Sequence, residues 1–240
     1  MAGLFAARKI MRMALNFDEF EFLSFDCYGT LINWEKGILG VLQPILQSHA
    51  VVLSDDAALA VYGEIEPKLQ RPYRRYRDVL RDVVREFGKR TGFVATEEEM
   101  DSLPQSLKDW HPYEDTVAAL GRLKKKYKLV ILSNIDDHLF AASAKHLQVK
   151  FDAVITAEQV KSYKPDHAHW IEMLHRCKTV PQRVLHVGQS IYHDVVPGKA
   201  MGFKTIWVHR APGYGATRPA HEEPDLEVKS LKELADLAGA

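Results

Sequence analysis

The chain is predicted to be an α/β protein: a doubly wound, Rossmann-like parallel sheet with an all-helical insertion after its first strand. Three observations predict this. Short apolar runs recur at similar intervals along the chain, as strands buried on both faces of a parallel sheet require. Amphipathic helical patterns separate most of these runs, and strand followed by helix, repeated, winds a right-handed sheet. One long stretch, Trp34 to about Trp110, carries helical patterns alone.

The first strand, Glu21 to Asp26, alternates and then runs apolar. Leu129 to Leu132 (LVIL), Ala153 to Ile155, Val184 to Val187 (VLHV) and Thr205 to Val208 (TIWV) supply the next four. Helical patterns cover Tyr113 to Tyr127, with Val117, Leu120 and Leu123 on one face, then Asp136 to Leu147, His167 to Cys177 and Asp194 to Met201. Within the insertion, Leu80 to Phe87 lies among Asp78/Arg81, Asp82/Arg85 and Glu86/Lys89 pairs at i,i+3 spacing, which support a helix. A Gly/Pro loop, RAPGYGATRPAHEEPD, precedes a last short strand and helix. The boundaries expected are residues 1–20 as an extension, 21–33 with 111–240 as the α/β core, and 34–110 as the helical insertion.

Composition narrows the function classes. At 240 residues and 46% hydrophobic, the chain can bury a full core. Basic and acidic residues balance at 32 each, so neither nucleic acid nor an anionic membrane is the expected partner, and a small molecule is. Two cysteines, Cys27 and Cys177, are too few for a disulfide scaffold and fit a reducing, cytoplasmic location. No apolar stretch reaches the roughly 20 residues that span a bilayer. The first residues, MAGLFAARKIMRMALNF, are basic but have no long apolar centre or clear cleavage site, so they are expected to be a floppy extension.

An open parallel sheet binds ligands at the carboxyl ends of its strands. The polar residues there are Asp26 after the first strand, Ser133 and Asn134 after the second, Lys164-Pro165 after the third, and Asp194 at the end of GQSIYHD after the fourth. Alone, a strand-end aspartate is commonly a turn residue and a Lys-Pro a surface break. In register, two carboxylates, a hydroxyl and an amine converge.

The motifs DCYGT, LSN, YKPD and YHD, in this order, resemble the four motifs of the haloacid dehalogenase superfamily, with a helical cap inserted after the first. The resemblance spans Phe22 to about Arg210. It implies that Asp26 is a nucleophile forming a covalent intermediate that water cleaves, and that Lys164 keeps it ionised. It also implies that Ser133, Asn134 and the Tyr28-Gly29-Thr30 turn grip the substrate; Gly29 suits a turn that must approach the ligand closely. Many cap-bearing members pair, so a homodimer is a possible assembly.

Within that superfamily, phosphatases carry a second aspartate two residues after the nucleophile, to protonate the leaving alcohol. Here that position is Tyr28, as in members resembling L-2-haloacid dehalogenases. Phosphatases also place an acidic Mg²⁺ ligand directly after the fourth motif's glycine, where this chain has Gln189, a weaker ligand for a hard cation. The expectation is therefore a site without metal or cofactor, in which Asp194 and Lys164 position water. The predicted reaction is hydrolytic dehalogenation of a small 2-haloalkanoic acid to the 2-hydroxy acid, with inversion. Departures from the dehalogenase pattern are Gln189, Ile191 and Trp170, the last standing where those enzymes carry a tyrosine. The cap's substrate arginine is expected at Arg71 or Arg75, within LQRPYRRYRDVL near the helix-breaking Pro72. Trp34 and Trp110 are expected to pack at the two cap-core linkers, Cys27 to fill the core, and His167-x-His169 to hold no metal because that spacing divides the rings between helix faces. The rival readings are a Mg²⁺-dependent phosphatase and a non-catalytic binding protein.

Overall fold

The computed structural model describes residues 15–210 and 220–240; residues 1–14 of the expected extension and 211–219 of the Gly/Pro loop lie outside the described residues. Six strands form one wholly parallel sheet in the order β3-β2-β1-β4-β5-β6. They are β1 (Phe22–Phe25), β2 (Lys128–Ser133), β3 (Ala153–Thr156), β4 (Val184–Gly188), β5 (Lys204–Val208) and β6 (Leu226–Val228). All five expected strands are present with ends shifted by a residue or two, as apolar runs buried on both faces should behave. The order reverses between β1 and β4, and the crevice beyond their carboxyl ends is the topological switch point where such sheets bind ligands.

Alternation along the strands divides the interior into two cores. Leu23 and Phe25 face the larger one, packed by α5 (Thr116–Leu123), α6 (Asp137–Leu147) and α10 (Leu231–Leu237). Phe22 faces the smaller one, with Val130, Leu132, Trp170 and Met173 beside it; α8 (Ala168–Cys177) supplies the last two. The remaining core helices are short: α7 (Ala157–Val160) and α9 (Val196–Ala200). The helix expected over Asp194 to Met201 is divided, a π-helical turn at Ile191–Val195 preceding α9.

Within residues 34–110 stand four α-helices: α1 (Trp34–Ser48), α2 (Asp55–Leu69), α3 (Tyr76–Thr91) and α4 (Glu97–Ser106). Their apolar faces, including Ile38, Leu42, Leu59, Leu80 and Val83, join the larger core. Side-chain capping starts three of them: Asn33 on Lys36 N–H, Ser54 on Ala57 N–H, and Thr96 in a reciprocal box with Glu99. The fourth is capped from across the molecule. Arg75 precedes α3 without a side-chain cap; instead the fully buried Asp136, at the start of α6, accepts Tyr76 N–H at 2.9 Å and Arg77 N–H at 2.8 Å. A carboxylate at a helix N-terminus satisfies orphan donors and opposes the helix dipole. One core side chain therefore fixes where the insertion sits over the sheet, and Tyr163, whose hydroxyl donates to Arg74 O at 2.7 Å, adds a second tie.

Candidate active site

At the switch point the backbone of Asp26 is anchored by its N–H to Val187 O at 3.0 Å, just past the end of β1. Lys164 reaches under it: its ammonium donates to Asp26 Oδ1 at 2.8 Å, Asp194 Oδ1 at 2.6 Å and Leu132 O at 2.9 Å. Three donors meet three acceptors. The Lys164 and Asp194 side chains are 1% exposed and Asp26 12%, so the charges are almost wholly withdrawn from water, and such a pairing is held together by its low-dielectric surroundings. Burial pushes the Asp26 carboxyl above its ordinary value, against the opposing pull of Lys164. For Asp194 burial acts in the same sense, yet Lys164 and His186 together outweigh it and hold that carboxyl well below the carboxylate range. Lys164 is raised, since its two carboxylates overcome a burial that would lower it.

Two further groups fix these carboxylates. Thr30 donates its hydroxyl to Asp26 Oδ2 at 2.8 Å and accepts Gln189 N–H at 2.9 Å. Thr30 is fully buried and faces Asp26, not the cavity in which it was expected to grip a substrate. The turn that brings Thr30 back passes through Gly29 at φ +100°, a left-handed conformation that side chains resist. Behind Asp194 lies His186: its Nε2 is 3.2 Å from Asp194 Oδ1 and its Nδ1 2.9 Å from Ser24 Oγ. An ionised carboxylate only accepts, so Nε2 donates to Asp194. Gly188 permits the close approach of Asp194, because a Cβ there would stand 2.5 Å from the Asp194 side chain.

Tyr28 borders the cavity, but its hydroxyl donates to Ser143 Oγ at 2.9 Å and its ring lies edge-on to Trp110 at 5.9 Å. Burial pushes the phenol well above its ordinary value, which removes it further from service as an acid at neutral pH. Tyr28→Phe is accordingly expected to change turnover by less than about threefold while costing about 1 kcal/mol of stability in urea unfolding; a thousandfold loss of turnover would show that the hydroxyl moves a proton.

Ser133 and Asn134 both border the cavity. Asn134 is committed to the lysine loop, accepting Lys164 N–H at 2.7 Å and donating to Lys164 O at 3.1 Å. The Ser133 hydroxyl is buried with no partner among the described residues, while its carbonyl accepts from His169 Nε2 at 3.1 Å. Burial holds the His169 ring neutral, down to about 3.

Two expectations are corrected. Arg71 and Arg75 do not enter the cavity: they are 68% and 64% exposed and pair with Asp166 at 3.3 Å and Glu158 at 3.4 Å. Those carboxylates on the core's rim draw the guanidinium groups outward. Trp170 is fully buried in the smaller core, its ring 5.5 Å from that of His186, and does not reach the substrate space. Trp34 and Trp110 pack as expected, Trp34 against the larger core with its ring 5.6 Å from that of Tyr62 and Trp110 buried and donating to Ser106 Oγ, and Trp34 borders the cavity as well. Cys27 is fully buried, as expected of a core filler.

The cavity above Asp26 holds about 90 Å³, small against the sites that hold drug-sized ligands. Its roof comes from α2 and its neighbours: Tyr62, Glu66 and Gln70 at i, i+4 and i+8, with Tyr76 beside them. Sequence reasoning missed this stripe and also His186. The signals were a polar face repeating every fourth residue, and a histidine inside the apolar run VLHV.

A doubly wound sheet carrying a lysine-bridged carboxylate pair at its switch point, roofed by helices inserted after β1, defines the class. The chain belongs to the haloacid dehalogenase-like hydrolases, whose family model matches residues 23–208. It is 27% identical to (S)-2-haloacid dehalogenase H-109 of Pseudomonas putida, over 90% of this chain and 96% of that protein. The fold is shared with the L-2-haloacid dehalogenase of Xanthobacter autotrophicus, at TM-score 0.78 and 21% identity over 92% of this chain and 98% of that one. It is shared also with the HAD-hydrolase YfnB of Bacillus subtilis bound to magnesium, at TM-score 0.76 and 18% identity over 92% of this chain and all of that one.

Proposed function

We propose that the protein hydrolyses a carbon–halogen bond next to a carbonyl group, through an ester formed on Asp26 and without a metal ion. In this reading residues 34–110 are the cap over a core of 21–33 and 111–240. A carboxylate oxygen of Asp26 attacks the halogen-bearing carbon, a C–O bond forms, the C–X bond breaks and halide leaves with its electron pair. Water then adds to the Asp26 carboxyl carbon, releasing the hydroxy compound and regenerating the carboxylate, with one proton passed to solvent. Attack from the face opposite the halide inverts that carbon. Lys164 keeps Asp26 charged in its buried seat, and Asp194 Oδ2, buried without a hydrogen-bond partner among the described residues, is an acceptor able to orient the incoming water. The named dehalogenase relative is consistent with this reaction class.

The observation that carries the reading is the commitment of Tyr28. An alkoxide leaves poorly without a proton, and the hydroxyl at the position where an acid would stand points away to Ser143; halide needs no such proton. The donor set also suits a divalent cation poorly. One oxygen of each carboxylate already accepts from Lys164, the second oxygen of Asp26 accepts from Thr30, and residue 189 offers an amide. No step is therefore routed through a metal.

The test is halide release from racemic 2-chloropropionate and 2-chloropropionamide in EDTA, with a single turnover in H₂¹⁸O. Halide release that survives chelation, with ¹⁸O entering Asp26 and the product unlabelled in the single turnover, is the expected result. Release abolished by EDTA and restored by Mg²⁺ would overturn the metal-free route, and label entering product while bypassing Asp26 would overturn the ester.

A further inference from the structure

Resting on the reaction proposed above, ester formation and ester hydrolysis make different demands on the residues around Lys164, and a buried histidine bears on the second. Ser24 on β1 and His186 on β4 are register partners in the sheet, on the face that Phe22 and Val184 give to the smaller core. Both polar side chains are fully buried there, which is costly for groups without partners. They meet one another: Ser24 Oγ lies 2.9 Å from His186 Nδ1. That bond, with the Trp170 ring set against the imidazole at 5.5 Å and 64°, fixes the ring plane and aims Nε2 at Asp194 Oδ1, 3.2 Å away.

Asp194 Oδ1 therefore receives two donors, the Lys164 ammonium at 2.6 Å and His186, while Oδ2 has no hydrogen-bond partner among the described residues. The asymmetry is not given by the carboxylate itself. Its two oxygens are equivalent, an ammonium can meet either or both, and rotation about the Cβ–Cγ bond is soft. A second donor of fixed direction removes that freedom and leaves Oδ2, beside Gly188, as the acceptor. The need is greatest after the first half-reaction, when esterified Asp26 has lost its charge and Lys164 has lost one of the two carboxylates it bridges. Ester formation itself uses Asp26 as held by Lys164 and Thr30, whereas His186 bonds to Ser24 and Asp194.

We propose that His186 is a positioning residue for hydrolysis of the ester: it holds Asp194 so that Oδ2 accepts an O–H of the water that adds to the Asp26 carboxyl carbon. In that step a C–O bond forms from water and the bond from the carboxyl carbon to the ester oxygen breaks. The departing oxygen takes one of the water's protons, and the other passes to solvent as the Asp26 carboxylate is restored.

Two measurements on the full-length protein decide it. In the first, wild type, His186→Leu and His186→Gln are mixed with 2-chloropropionate, quenched at intervals, and assayed for halide and, by mass spectrometry, for ester on Asp26. In His186→Leu the first turnover is expected to release about one halide per site at a rate within about threefold of wild type. Turnover then slows by about 10- to 100-fold, the scale of a hydrogen bond to a charged group, and the Asp26 ester accumulates. His186→Gln, whose side-chain N–H can replace Nε2–H, is expected to recover turnover to within about fivefold of wild type. A parallel loss of both phases with no ester trapped, unchanged turnover in His186→Leu, or no recovery in His186→Gln overturns the proposal, since a merely structural role moves the two phases together. In the second, crystal structures of the variants report the same role without substrate. An Asp194 carboxylate turned in His186→Leu so that Lys164 lies between its two oxygens, and unturned in His186→Gln, supports the proposal even if no halide is released; an unmoved Asp194 in His186→Leu overturns it. Wild type that releases no halide and forms no adduct would sink the dehalogenation reading alone, so the two failures are distinguishable. Should His186→Leu not fold, His186→Asn, whose shorter amide falls short of Asp194, takes its place beside His186→Gln in both measurements.

Discussion

Asp26→Asn is expected to release halide at no more than about 10⁻⁴ of the wild-type rate, the scale of loss seen when a covalent nucleophile is removed. The amide keeps the shape of the carboxylate. Its oxygen can still accept from Lys164, and the Thr30 hydroxyl, which faces Asp26 Oδ2 at 2.8 Å and receives Gln189 N–H, can rotate to accept from the new amide. The fold should therefore persist while the anion that attacks carbon is gone. The pH dependence provides a second reading of the same role. Burial raises Asp26 above its ordinary value, so wild-type kcat/KM should fall on the acid side through a pKa above that of an ordinary aspartate. Lys164 is raised, which places loss of its charge on the alkaline side beyond the ordinary lysine value. Retention of more than about a hundredth of wild-type activity by Asp26→Asn, with the protein confirmed free of deamidation by mass spectrometry, would place the nucleophile elsewhere.

How legible this site was depended on how local each determinant is. Asp26 and Ser133 lie at strand ends and Lys164 and Asp194 in the segments that follow β3 and β4, and the strands declare themselves as apolar runs because a parallel sheet is buried on both faces. The topology then converges them at a single crevice. Arg71 and Arg75 could not be placed in that way. Whether a basic run turns inward depends on its counter-charges, and Glu158 on α7 and Asp166 on the loop after it lie more than eighty residues further along the chain.

The same limit hid the roof. Tyr62 and Glu66 on α2 and Gln70 at its C-cap follow one face, and in the sequence a polar stripe of this kind is indistinguishable from a solvated face. It becomes a cavity wall when Asp136 seats α3 over the core, and Asp136 itself resembles the N-cap of its own helix. The direction of the Tyr28 hydroxyl was equally out of reach, since Ser143 lies 115 residues away. The divided helix at Ile191–Val195 answers a local demand of another kind. Asp194 must approach the backbone of Gly188 closely, and a π turn lets the chain do so where a regular helical repeat would not announce it.

Lys164→Met should be the most destabilising single substitution at this site, costing about 3–5 kcal/mol in urea unfolding at neutral pH, the range for breaking a buried ion pair by removing one partner. Methionine fills much of the space but leaves Asp26 and Asp194 with no cation between them, in surroundings that admit little water. Two carboxylates in one buried site cannot both remain ionised cheaply, so one retains a proton and its pKa rises. The sign of the pH dependence follows. In wild type, Asp194 lies below its unfolded value, so its contribution is full above that ordinary value and is lost as pH falls through the depressed folded pKa. In Lys164→Met the folded protein binds a proton more tightly than the unfolded chain does, so the variant's stability rises as pH falls towards the ordinary carboxylate value. The gap between the two proteins should be widest near neutrality and narrow on acidification. Activity should fall at neutral pH by at least about 10²-fold, because the proton retained by the pair is shared with the attacking carboxylate. A stability difference independent of pH would mean that Lys164 contributes chiefly by packing, and that its hold on the ionisation of Asp26 is slight.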